Sequence, residues 1–221
     1  MRNYLIIISL SLLVANFSFA QHFVDLNKLG EGYFRIKSSS NKTIDGTSNL
    51  FEKWMNGSVK MIGVDEMNVD SLNFDTYSNN LLFQQKNVTY CVSDKHKLEY
   101  FTIGNSKFIN LRSVNYPDTF FEVLSDGKVL KLVRLYKCII VKGKESDGID
   151  PGRNDKYKIV SDLFVIKEYG EVEPFKASRN DMFVLMQDKK ADVEKYIKSN
   201  KLNLKRIENM ANVFDYYNSL K

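Results

Sequence analysis

The hydrophobic period of this chain changes once, and that change limits the folds open to it. From Leu50 to Phe175, short runs rich in β-branched and aromatic residues alternate with turn-like clusters. From Ser178 onward, apolar residues recur at three- and four-residue spacing instead. Strand-length runs followed by helical stripes predict an α+β protein: a large curved antiparallel β-sheet built from hairpins, then a C-terminal group of about three α-helices.

The hairpin signals can be placed residue by residue. Phe51-Glu52-Lys53-Trp54 and Val59-Lys60-Met61-Ile62 flank Asn56-Gly57. That pair tolerates the positive φ angles of a tight type I′ turn, so a hairpin is predicted there. Ser78-Asn79-Asn80 separates residues 69–77 from 81–85, and Val88, Tyr90 and Val92 alternate as one buried strand face does. Residues 98–103 and 108–114 read as further strands, and residues 33–36 as a short early one. The strongest hairpin runs from 120–124 through Asp126-Gly127 into 129–141. On its second arm Lys128, Lys131, Arg134 and Lys137 fall on both faces, which predicts a bulge or a strand running past the sheet edge. Residues 143–155 hold Asp147-Gly148 and Asp150-Pro151-Gly152 without apolar periodicity, the mark of a long surface loop. Residues 157–168 and 172–175 complete the β region.

In the helical part, Ser178-Arg179-Asn180-Asp181 resembles a capping box, followed by Met182, Phe183 and Met186. Asp188 is expected to cap a second helix reaching about Ser199, with Val193, Tyr196 and Ile197 on one face. Ile207, Met210, Ala211, Phe214 and Tyr217 line a third helix, expected to dock on the sheet or on its neighbour.

The first twenty residues read as an address. Arg2 supplies a positive charge, residues 5–15 an apolar core, and Ser18-Phe19-Ala20 the small residues of a cut before Gln21. The apolar core is shorter than the roughly 20 residues of a spanning helix, and no cysteine follows the cut to carry a lipid. The expectation is therefore a signal peptide at 1–20 and one exported domain at 21–221, with 21–176 mainly β and 177–221 a helical tail packed on the sheet. The formal net charge of +5 falls by one when Arg2 leaves. So small a charge, dispersed along the chain, gives no argument for nucleic acid.

The chain holds two cysteines, Cys91 and Cys138. In an oxidising compartment they form a candidate disulfide, whose closed loop would contribute about 4 kcal/mol. Two buried free thiols are the alternative. His22 and His96 are the only histidines, and no Cys/His cluster has metal-ligand spacing. Asp147, Asp150 and Asp155 do not follow the alternating ligand spacing of a calcium loop. No glycine-rich phosphate loop, nucleophile elbow or zinc-protease motif occurs, so no catalytic, cofactor or metal residues are assigned. The basic residues between Lys189 and Arg206 alternate with Asp192 and Glu194, which predicts a solvated helix face.

Three stretches carry a family resemblance: Phe74-Asp75-Thr76-Tyr77-Ser78-Asn79-Asn80, Phe121-Glu122-Val123-Leu124-Ser125-Asp126-Gly127-Lys128, and the tail from Asp188-Lys189-Lys190 to Tyr216-Tyr217-Asn218-Ser219-Leu220. With these the exported body resembles a group of uncharacterised secreted proteins of Bacteroidetes-type Gram-negative bacteria. The resemblance implies a periplasmic or extracellular setting and transfers no site residues. The leading expectation is a non-enzymatic periplasmic or cell-surface binding protein, its partner a small apolar ligand or an envelope protein. The alternatives are an extracellular hydrolase with dispersed carboxylates and a structural component of an envelope assembly.

Overall fold

The structure, a computed structural model, describes residues 33–35, 44–146 and 148–221. The expected signal peptide at 1–20 and Asp147 of the long loop lie outside the described residues. Among the described residues twelve strands are formed: β1 (Tyr33–Arg35), β2 (Ile44–Asp45), β3 (Met55–Met61), β4 (Met67–Asp75), β5 (Asn80–Gln85), β6 (Val88–Val92), β7 (Leu98–Ile103), β8 (Ser106–Ser113), β9 (Tyr116–Asp126), β10 (Leu130–Val141), β11 (Asp155–Lys167) and β12 (Val172–Phe175). Three helices follow: α1 (Arg179–Leu185), α2 (Lys190–Ser199) and α3 (Ile207–Ser219). The α+β class and the order of strands before helices are as the period change predicts.

The sheet order is β1-β6-β5-β4-β3-β7-β8-β9-β10-β11-β12, and every neighbour on this path is antiparallel. Two meanders, β3 to β6 and β7 to β12, are joined side by side through β3 and β7. β2 pairs in parallel with the start of β11. The sheet curls without closing.

Side-chain alternation sorts the core onto two faces. On the inner face Phe74, Phe101, Phe108 and Phe120 gather with Val59, Met61 and Leu72. Phe101 stacks on Phe108 at 4.9 Å between centroids, and Phe120 meets Phe101 edge-on at 5.1 Å. Further along the same face, Leu130, Leu132 and Val165 receive the helices through Met182, Met186, Val193, Ile197, Met210 and Phe214. The neighbouring residues Phe121, Val133 and Phe164 point the other way and form a third cluster with Tyr116.

The predicted turn at Asn56-Gly57 is not one. Both residues lie inside β3, residues 51–54 form no strand, and the β3–β4 turn falls at Gly63, whose φ is +71°. The register with β4 shifts between Met55 and Gly57, the signature of a bulge. A Cβ on Gly57 would sit 1.9 Å from the Thr102 carbonyl oxygen. The glycine is there because the backbone of β7 passes too close for a side chain, a use of glycine that sequence cannot separate from a turn.

The Asp126-Gly127 hairpin is where it was expected, for a different reason. Gly127 does not adopt a positive φ; its missing side chain makes room for Asn218 of α3, which a Cβ would meet at 2.0 Å. The Asn218 carboxamide accepts from the N–H groups of Val129 (3.0 Å) and Leu130 (3.1 Å). It donates to the carbonyls of Leu130 and Phe214, both at 2.8 Å. One side chain thus locks the hairpin to the last helix.

Ser178 caps α1, accepting from the Asp181 N–H at 3.0 Å, as the capping box predicts. Asp188 does not cap α2, which starts after Lys189 without a side-chain cap. Its carboxylate instead takes the Tyr217 hydroxyl at 3.0 Å and the Lys221 ammonium. Packing of α3 against the α1–α2 connection places those two donors within reach, so a tertiary pair replaces the local cap.

Candidate functional site: the tip of the β10–β11 ribbon

β9 and β10 part company early. Their registered pairs run only from Lys131–Asp126 to Arg134–Glu122, with a shift at Leu132/Val133. β10 and β11 stay paired from Leu130–Lys167 to Val141–Lys156. Of the two readings of the second arm, the strand running past its neighbour is realised; the bulge falls on the first arm, where Leu124 of β9 is the extra residue. The fork between β9 and β10 is filled by the β4–β5 turn. There the Thr76 carbonyl accepts from the Cys138 N–H at 3.2 Å, and Asn79 Oδ1 accepts from the Phe120 N–H at 3.0 Å.

Beyond the fork the two strands form a ribbon with different faces. Lys137 and Val160, Ile139 and Lys158, and Val141 and Lys156 are cross-strand pairs on one face. Ile139 and Val141 are 46% and 45% exposed, so this face alternates lysine with bare aliphatic surface. On the other face Cys138, Ile140, Tyr157 and Ile159 are half-buried, and the Tyr157 ring meets Tyr77 edge-on at 6.1 Å.

The loop closing the ribbon is knit by its acids. Buried Asp155 accepts from the Gly143 N–H at 3.0 Å and pairs with Lys142 at 3.1 Å. Asp150 pairs with Lys144 at 3.1 Å, and Asp45 of β2 accepts from Asn154 at 3.1 Å. The Arg153 N–H donates to the Lys144 carbonyl at 2.8 Å, and Gly143 approaches so close that a Cβ would lie 1.8 Å from the Arg153 carbonyl oxygen. Beside this frame lies an open cleft of about 510 Å³ lined by Lys142, Lys144, Arg153, Lys156, Asn154 and Asp45. Among the described residues, Arg153 and Lys156 have no acidic partner within salt-bridge distance. Asp155 is buried and Asp45 and Asp150 are taken up in their pairs, which leaves Arg153 and Lys156 as cations at the tip free to meet an anionic group.

The structure places the other candidates apart from this tip. Cys91 and Cys138 are free thiols, Cys91 buried on β6 and Cys138 half-buried on β10. Burial pushes the Cys91 thiol up to about 11 and raises that of Cys138 as well. His96 is exposed in a short 3-10 turn, Lys95–Lys97. On the helices Glu194 pairs with Arg179 and Lys198, and Arg206 with Glu208, as expected of a solvated face.

Sequence reading missed a carboxylate at the heart of the sheet. Buried Glu122 receives the Arg134 guanidinium at 2.8 and 2.6 Å, the Tyr136 hydroxyl at 2.9 Å and the Ser106 hydroxyl at 2.7 Å. Burial first, then the Glu122 charge, pushes the Tyr136 hydroxyl pKa upward. Three donors on Oε2 and one on Oε1 hold the carboxylate, so the group braces β8, β9 and β10. Its signal was the Glu122–Arg134 spacing across the Asp126-Gly127 hairpin.

The resemblance-bearing stretches hold the same kind of post. Residues 74–80 fill the fork, and residues 121–128 meet 216–220 at the Asn218 lock. They are joints of the fold. No family model, curated protein or solved structure matches the chain. Among the described residues no helix is long and apolar enough to cross a membrane.

Proposed function

We propose that this chain is an exported, non-enzymatic binding protein of the bacterial envelope that grips an acidic face of an envelope protein with the tip of its ribbon. The observation that carries this reading is the division of charge at the tip. Asp45, Asp150 and Asp155 are engaged within the frame, while Arg153 and Lys156 face out next to the exposed aliphatic residues Ile139 and Val141. Cations around a bare apolar strip suit a partner surface, giving steering from the charges and affinity from the strip.

The test is co-sedimentation of the purified mature chain with envelope fragments of a Gram-negative cell. The expected result is salt-sensitive binding that disappears when the fragments are first treated with protease. The triple variant Arg153→Glu, Lys156→Glu, Lys158→Glu should stay in the supernatant with its circular dichroism unchanged. Wild-type protein that fails to sediment, or a variant that sediments equally well, overturns the proposal. Mass spectrometry of secreted material tests the export half, with Gln21 expected as the first residue.

A further inference from the structure

On the outer face of β3, β4 and β7, away from the ribbon, lies a second cleft of about 460 Å³. That volume falls within the roughly 300–1,000 Å³ of small-molecule sites. Its floor is a hydroxyl relay whose directions are fixed by elimination. Glu66 can only accept, so the Ser58 hydroxyl donates to its Oε1 at 2.5 Å and the Tyr100 hydroxyl to its Oε2 at 3.0 Å. Thr102 Oγ1 accepts from the Ser58 N–H at 2.9 Å and lies 2.9 Å from Ser58 Oγ, to which it must therefore donate. The two hydroxyl bonds, Ser58 first, hold the Glu66 carboxyl below its usual range. Glu66 is thus an oriented, ionised acceptor with lone pairs still facing solvent. Around it stand Asn56, Asn68, Asp70 and Asn105.

We infer that this cleft is a binding site for a neutral, hydroxyl-rich ligand, a saccharide. The chemistry excludes the other classes. Two carboxylates repel a phosphate or sulfate. Lys60 and Lys107, close enough to lower the Glu66 pKa, oppose a cation. Among the described residues no three acidic, histidine or cysteine side chains converge as a metal site requires. Val69 is the one apolar side chain in the lining, which gives a hydrocarbon ligand nothing to bury against. A sugar hydroxyl both donates and accepts, and the cleft offers both halves: acceptor-only carboxylates from Glu66 and Asp70, and amides that give and take from Asn56, Asn68 and Asn105.

The test is a titration of the isotopically labelled protein with millimolar maltohexaose, chitohexaose and mannohexaose, read by amide chemical shifts. At least one probe is expected to produce saturable shifts at Thr102, Gly104 and Asn105. Glu66→Gln and Asn68→Ala, both at exposed positions and so safe for folding, are each expected to weaken that binding by about tenfold, the loss of one charge-assisted or paired hydrogen bond. If no probe shifts these amides saturably, or if both variants bind as the wild type does, the site is not a saccharide site. Saturable shifts at the same amides on adding calcium chloride alone would also overturn the assignment, in favour of a metal.

Discussion

One hairpin of this molecule passes through two environments. In its first half, Leu130 to Arg134 opposite Leu163 to Lys167, the strands are covered by the helices on one side and by the Phe121–Phe164 cluster on the other. In its second half the same two strands keep their pairing but lose cover on the face that bears Ile139 and Val141. Backbone hydrogen bonding is the same throughout, so the hairpin separates what a ladder contributes from what burial contributes. The covered half should carry the stability and the uncovered half the contacts with other molecules.

Matched truncations give the largest expected effect. Leu132→Ala removes a fully buried side chain between sheet and helices and should cost about 2–5 kcal/mol in urea unfolding. Ile139→Ala, on the same strand but half exposed, should cost less than about 1 kcal/mol. Equal costs would mean that the ribbon is covered in solution, and the comparison would collapse.

The next effect concerns what fastens the covered half. Asn218→Ala strands the N–H groups of Val129 and Leu130 and the carbonyl of Leu130, and should cost about 2–3 kcal/mol. In that background Gly127→Ala should become much milder than it is in the wild type, because the Cβ no longer meets the carboxamide. Additive costs in this double-mutant cycle would show that the lock does not bear on the turn.

A smaller effect depends on pH. Hydrogen bonding from Lys131, and then from Lys107, holds the Asp126 carboxyl at the hairpin turn below its usual range. A carboxyl depressed in the folded state stabilises the fold fully above its unfolded pKa, and this contribution is lost as pH falls through the folded value. The partners are 35–45% exposed, so it should amount to less than about 1 kcal/mol. The difference in melting temperature between wild type and Asp126→Asn should shrink as the pH falls from neutral to strongly acid. A constant difference would assign the effect to packing.

The smallest effect is a difference in rate. Cys138, at the base of the uncovered half, should react with a maleimide in the native protein, while Cys91, buried and with its thiol pushed up to about 11, should react only on unfolding. If neither cysteine reacts until a reductant is added, the two are joined as a disulfide.

The sequence carried the class of the fold because periodicity is a local signal: the stripe Met210, Phe214 and Tyr217 and the alternation from Val88 to Val92 can be read without knowing their neighbours. It could not carry what depends on residues distant along the chain. Gly57 looks like a turn and lies inside a strand, a glycine because the Thr102 carbonyl leaves no room for a side chain. Asp188 looks like a cap and is a tertiary acceptor because Tyr217 of α3 and Lys221 just beyond it reach its carboxylate. The ribbon tip was legible only as a loop, since its charge balance depends on which acids and cations pair across it. The Ser58–Glu66–Tyr100 relay was not legible at all, because it joins two strands and the β3–β4 turn through side chains with no motif spacing.

The β4–β5 turn at the fork gives the ribbon a mechanical character. From Leu135 to Val141 the ribbon extends about 20 Å past the point where β9 leaves it. Anything that pulls on the tip therefore acts through a lever, with its fulcrum at the bond between Thr76 and Cys138. The far side of that fulcrum is the phenylalanine core, through Phe74 on one strand of the turn and Phe120 beside it. A load on the tip would be felt first at those two rings, well before it reached the helices.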